Sequence, residues 1–114
     1  MKERFLVMNG QKIVQHEVEG QWQNRSVEKA GVLKPGIYNL YLANQVDKTE
    51  TNSGVILHGT NETIFQQVGK KYVKHNREDF DIMPGIGSNC SISYEKGRAV
   101  VSAASVKLSR GVSR

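Results

Sequence analysis

Residues 54–101 read GVILHGTNETIFQQVGKKYVKHNREDFDIMPGIGSNCSISYEKGRAVV, and their punctuation decides the fold. Short runs rich in β-branched and aromatic residues occupy 54–58, 63–68, 71–75, 90–94 and, running just past the stretch, 98–104. Turn residues separate them: Gly59 with Thr60, Asn61 and Glu62; Gly69-Lys70; Pro84-Gly85 and Gly87; and Glu95-Lys96-Gly97. Alternation within each run and turns every ten residues or so predict short antiparallel strands in an open sheet curled into a small barrel. Asn76 is placed to cap one helical turn over 77–80, with Glu78 and Asp79 suited to its start.

Working outward, Asn9-Gly10 joins two β-prone runs, 4–8 and 11–15, and is the strongest short hairpin signal because both residues must accept φ > 0. Trp22, the only indole, reads as a core or half-buried plug. Ser26 is a candidate N-cap for a short helical or irregular connection that Gly31 cuts off. Pro35-Gly36 sets a turn before 37–43 (IYNLYLA), whose alternation and two tyrosines predict a strand. The polar run 44–53 (NQVDKTETNS) is the best boundary in the chain. The expected organisation is therefore all-β: a smaller β subdomain over 1–46, a linker or loop over 47–53, an SH3-like barrel over 54–104, and a basic tail over 105–114.

Composition narrows the function classes. The 114 residues carry a formal net charge of +5, with a pI near 9.5 and a mean hydropathy of −0.49. Residues 1–53 hold seven Lys/Arg against six Asp/Glu, and residues 54–114 hold nine against five, so the excess sits in the second half. No apolar run approaches the roughly 18 residues that span a bilayer, and the patch 5–8 is too short for a signal sequence. Cys90 is the sole cysteine, which excludes an internal disulfide. These features predict a cytoplasmic protein.

Catalytic and metal chemistry finds little support. His16, His58 and His75 are scattered, and with a lone Cys90 they form neither a Cys-x-x-Cys nor a His-x-His pair, so no metal, cofactor or catalytic residue is assigned. Asp79 and Asp81 flank Phe80 beside Lys74 and Arg77 and read as a salt-bridged loop rather than an acid–base pair. Gly85-x-Gly87 lacks the third glycine and the strand–helix context of a phosphate loop. What stands out is cationic and aromatic: Lys70, Lys71, Lys74, His75 and Arg77 crowd two turns and one strand, with Phe65 and Tyr72 on adjacent strands. Such a surface holds a partner. Protein binding through these seven residues and the edge strands is the favoured expectation, with direct DNA or RNA contact through residues 70–77 and the basic tail as the alternative.

The spacing of Gly54, Ile56, Leu57, Gln66-Gln67-Val68-Gly69, Val73-x-His75, Asp79, Ile86-Gly87, Ile92-x-Tyr94 and Gly97-x-Ala99-Val100 resembles the KfrB domain, a small module encoded on conjugative plasmids. That module is carried alone, beside segregation factors, and fused to large relaxase and polyvalent transfer proteins. The resemblance covers the second half of the chain. It implies a plasmid-borne accessory protein acting in maintenance, partition or conjugative transfer through a plasmid-encoded protein partner. It brings no catalytic residue with it, and it leaves the first half unaccounted for.

Overall fold

The computed structural model describes residues 2–103. The chain is all-β, built from two sheets, and divides into two compact units, 1–43 and 44–114. The final residue of the last expected strand and the basic tail lie outside the described residues. Among the described residues no helix is long and apolar enough to cross a membrane.

The first unit is a four-stranded antiparallel sheet of β1 (Glu3–Met8), β2 (Gln11–Val18), β3 (Gln21–Lys29) and β4 (Gly36–Tyr38), in the order β3-β2-β1-β4. The β1–β2 turn is as the sequence requires: Asn9 and Gly10 take φ of 52° and 75°. Glu19-Gly20 repeats that geometry between β2 and β3, at 51° and 81°. One face of the sheet is buried, with Phe5 stacked on Tyr38 at 4.5 Å between ring centroids. The Lys12 ammonium lies 4.6 Å over the Phe5 ring on this face, and burial lowers its pKa against a smaller opposing pull from Glu28.

Two expectations fail here. Residues 26–29 are not helical but continue β3, because Ser26 and Val27 pair with Val14 and Ile13. A bulge beside Val14/Gln15 takes up Arg25 and lets the strand run on past its polar residues. The strand expected over 37–43 stops at Tyr38, and Leu40–Leu42 forms a 3-10 turn closed by the Ala43 N–H donating to the Leu40 carbonyl at 3.0 Å. Alternation of apolar residues fits that turn as well as a strand, and pairing with β1 reaches only Gly36 to Tyr38.

The second unit is a six-stranded sheet of β5 (Asn44–Gln45), β6 (Asn52–Gly59), β7 (Thr63–Val68), β8 (Lys71–Asn76), β9 (Asn89–Glu95) and β10 (Arg98–Ala103), in the order β10-β9-β6-β7-β8-β5. All pairs are antiparallel except β5 with β8. Asn52 and Ser53, expected in the linker, belong to β6. Arg77–Asp79 forms a 3-10 turn. Ile56, Ile64, Phe80, Cys90 and Ile92 form the core, with Met83, Tyr94 and Ala99 packed against it. The loop after Phe80 returns to β6, where the Gly87 N–H donates to the Ile56 carbonyl and the Ile56 N–H to that of Ser88.

Among the described residues neither sheet closes, so the expected SH3-like barrel is not confirmed. Closure needs the two terminal strands to pair, and β5 and β10 each end the ladder. The sheet is nonetheless strongly curled. His75 on β8 and Tyr94 on β9 are three strand positions apart, about 14 Å along a flat sheet, yet their side chains meet at 2.7 Å.

Candidate functional site

The curl gathers a buried polar network. Gln66 lies in the middle of β7, where it is fully buried, and its Nε2 is surrounded by three carbonyl oxygens: Asn52 at 3.2 Å, Gly54 at 3.3 Å and Cys90 at 3.1 Å. Carbonyls only accept, so this atom is the amide nitrogen, and Oε1 must be the atom that faces His75 Nε2 at 2.9 Å. His75 Nε2 therefore carries the ring proton and donates it to Gln66. Its Nδ1 is left bare and accepts from the Tyr94 hydroxyl at 2.7 Å. One glutamine thus fixes the tautomer of the histidine and the direction of the tyrosine proton.

Electrostatics agree with a neutral ring. Burial pushes the His75 pKa down to about 4, against a smaller upward pull from the Asp79 carboxylate. Burial, with Asp79 second, pushes the Tyr94 hydroxyl up to about 12. Both groups are held uncharged, as hydrogen bonding to their neutral forms demands. The ring packs edge-on against Phe80 at 5.7 Å and stacks on Tyr94 at 6.0 Å. Lys48, from the loop after β5, closes the site: its Nζ is 2.9 Å from Asp79 Oδ2 and 5.3 Å from the centroid of the Tyr94 ring.

Gly54 completes the arrangement by lacking a side chain. A Cβ there would overlap the Gln67 carbonyl oxygen on the neighbouring strand, so β6 and β7 approach more closely than any other residue permits.

This network is scaffold, and it redistributes the residues that the sequence grouped as a binding face. Successive residues of a strand point to opposite sides of the sheet. His75 turns inward to Gln66, and its complete burial removes it from any partner contact. Lys74 points the other way, paired across the strands with Phe65, which is itself buried. Tyr72 shares that outer face and is half-buried. Lys70 and Lys71 are exposed at the β7–β8 turn, where Lys71 lines a cavity of about 290 Å³ together with Asp47 and Glu50. Arg77 is half-buried and donates to the Thr60 carbonyl at 3.4 Å. The seven residues do not form one patch.

Among the described residues neither His58 nor His75 is placed as a base for Cys90. Both nitrogens of His75 are engaged, and His58 lies on the opposite face, its ring 6.2 Å from that of Phe65. The Cys90 thiol is buried with Ser88 Oγ at 3.2 Å. Among the described residues no three His, Cys, Asp or Glu side chains converge as metal ligands. Sequence reasoning passed over the hub, Gln66, and the clamp, Lys48. The available signal was a glutamine in a central strand with Ile64 and Val68 on its own face, where an amide must find internal partners.

Two comparisons bear on this architecture. The family model described as the KfrB Domain matches residues 51–103, which span β6 to β10 and include Gly54, Gln66, His75 and Tyr94. Protein TraB of Escherichia coli is 31% identical over 101 residues, covering 86% of this chain and 69% of that protein.

Proposed function

The chain belongs to the KfrB domain family, and on that footing we propose that it is a non-enzymatic accessory protein of a conjugative plasmid. It acts in plasmid maintenance or partition, or in conjugative transfer, by holding a plasmid-encoded protein partner in the cytoplasm. The observation that supports this reading is the outer edge of β10, with which no strand pairs among the described residues. Its backbone ends the six-stranded sheet, and residues 99–103 contain no charge, proline or glycine. Val100 and Val101 are exposed along it. Edges exposed to water are ordinarily blunted by such residues, and an unblunted one accepts an added strand from a partner.

Direct DNA or RNA binding is the less supported reading. The cations at 70–77 diverge over two sheet faces and two ends of β8, so they do not track a phosphate backbone together.

The test is a pull-down of the products of neighbouring plasmid genes on the immobilised protein and on its Val100→Lys variant. Val100 points away from the core, so the variant keeps its fold while placing a charge on the edge. A segregation or transfer protein that binds the parent and is lost at least tenfold by the variant supports the proposal. Absence of any such partner, or equal capture by both proteins, overturns it.

A further inference from the structure

In the first unit, which the KfrB model does not cover, one face of the sheet carries exposed aliphatic side chains. Register places Val27, Ile13, Leu6 and Ile37 in a single row across all four strands: Val27 pairs with Ile13, Ile13 with Leu6, and Leu6 with Ile37. Val27 is 56% exposed and Ile37 59% exposed; Met8, in the next row of the same face, is 48% exposed. An aliphatic row of this kind normally lies against something.

Its margins are polar and mostly cationic. On one side Arg4 donates to Gln15 Oε1 at 2.8 Å, Gln15 to Asn24 at 2.8 Å, and the Arg4 guanidinium lies 4.1 Å over the Trp22 ring. Trp22 in turn meets Tyr41, over which sits the Lys2 ammonium. Lys29 flanks the other side, paired with Gln11. Glu17, opposite Trp22, is the acid on this face.

Size and charge together select the occupant. Four strands spaced about 4.8 Å apart and about six residues long give a footprint of roughly 400 Å², half of the ~800 Å² that each member of a stable pair of globular proteins buries. A second copy of the chain would also set cationic margins against each other. A single helix, about 10 Å across, fits the row. We infer that this face is a docking site for an amphipathic helix of a partner protein, with an aliphatic stripe flanked by acidic residues. The site is separate from the β10 edge and stands or falls without it.

Trp22 reports on the margin directly, being the only tryptophan. The probe is a synthetic, tryptophan-free helical peptide with a leucine stripe flanked by glutamates, titrated against the full chain and followed by Trp22 emission. A saturable change is expected. It should weaken about tenfold in Lys29→Glu and vanish in Val27→Asp and Ile37→Asp, whose exposed positions leave the melting temperature unchanged. The same peptide with lysine flanks should not bind. No saturable change, equal binding of the two peptides, or retention in both aspartate variants overturns the inference. So does self-association in sedimentation that Ile37→Asp abolishes, which would make the occupant a second copy.

Discussion

If His75 is held neutral by its surroundings, acid should unfold the second unit through this one ring. Its folded pKa of about 4 lies below its ordinary value of 6.5. The unfolded chain therefore takes up a proton as pH falls through 6.5, while the folded chain refuses one until about 4. The stabilisation is complete above pH 6.5, is lost progressively down to pH 4, and stays flat below. That gap corresponds to about 3 kcal/mol. The perturbation that isolates it is His75→Gln. The new amide still donates to Gln66 Oε1 but no longer accepts from Tyr94, whose half-buried hydroxyl turns to water. That loss costs about 1 kcal/mol, and the lost ring contacts with Phe80 and Tyr94 cost about 1 more. At pH 7 the variant should be less stable by about 2 kcal/mol, and near pH 4 the order should reverse by about 1. Urea unfolding followed by circular dichroism from pH 7.5 to 4 measures both curves. Their difference cancels the carboxylates that the two chains share. A parent–variant difference that stays constant across this range refutes the argument, as does a His75 ring that titrates near 6.5 or carries its proton on Nδ1 by nitrogen NMR.

Other outcomes follow from the same geometry. Tyr94→Phe removes the donor to His75 Nδ1 and leaves a buried acceptor unpaired, at a cost of about 1–3 kcal/mol in chemical denaturation. In the parent, the Tyr94 hydroxyl is raised to about 12. Its contribution is therefore full below pH 10 and lost as pH climbs to 12, a loss that Tyr94→Phe should not show. Gly54→Ala forces β6 from β7 and should cost roughly 3 kcal/mol or more, visible as a lowered melting temperature. Arg98→Ala, which breaks the exposed ion pair with Asp81, should leave stability nearly unchanged. Titration with random-sequence DNA across a salt series separates the nucleic-acid reading. A log–log slope of several would revive it, and a flat response would dispose of it.

β7 and β8 were legible because each is six residues long and bounded by turn residues, so 63–68 and 71–75 emerge almost residue for residue, whereas the two-residue β5 did not. The first unit was harder to read after Gly20. Val27 lies in a polar run, and only pairing with β2 makes it strand; Ile37 was read as strand, but pairing with β1 ends at Tyr38. The barrel could not be read for a related reason: turn spacing predicts how strands follow one another, but not whether the first and last meet. The polar network was visible only in pieces. Gln66 and His75 lie diagonally on adjacent strands, but Tyr94 reaches them through the curl of the sheet, which no local pattern specifies.

Four of the residues that carry the resemblance to the family, Gly54, Gln66, His75 and Tyr94, serve the second sheet from within. Gly54 permits two strands to close up, Gln66 ties three carbonyls to one ring, and His75 and Tyr94 span the curl. All four act on neighbours within the sheet, and their substitution should be read first in stability. The surfaces proposed for recognition are of another kind: the edge of β10 and an aliphatic row on the first unit. Of the two proposed surfaces, one would take a strand and the other a helix, and substitutions tell them apart. A partner lost by Val100→Lys but kept by Ile37→Asp belongs to the edge, and the converse places it on the row. A partner lost only through Gly54 or Gln66 substitutions would have been lost to unfolding.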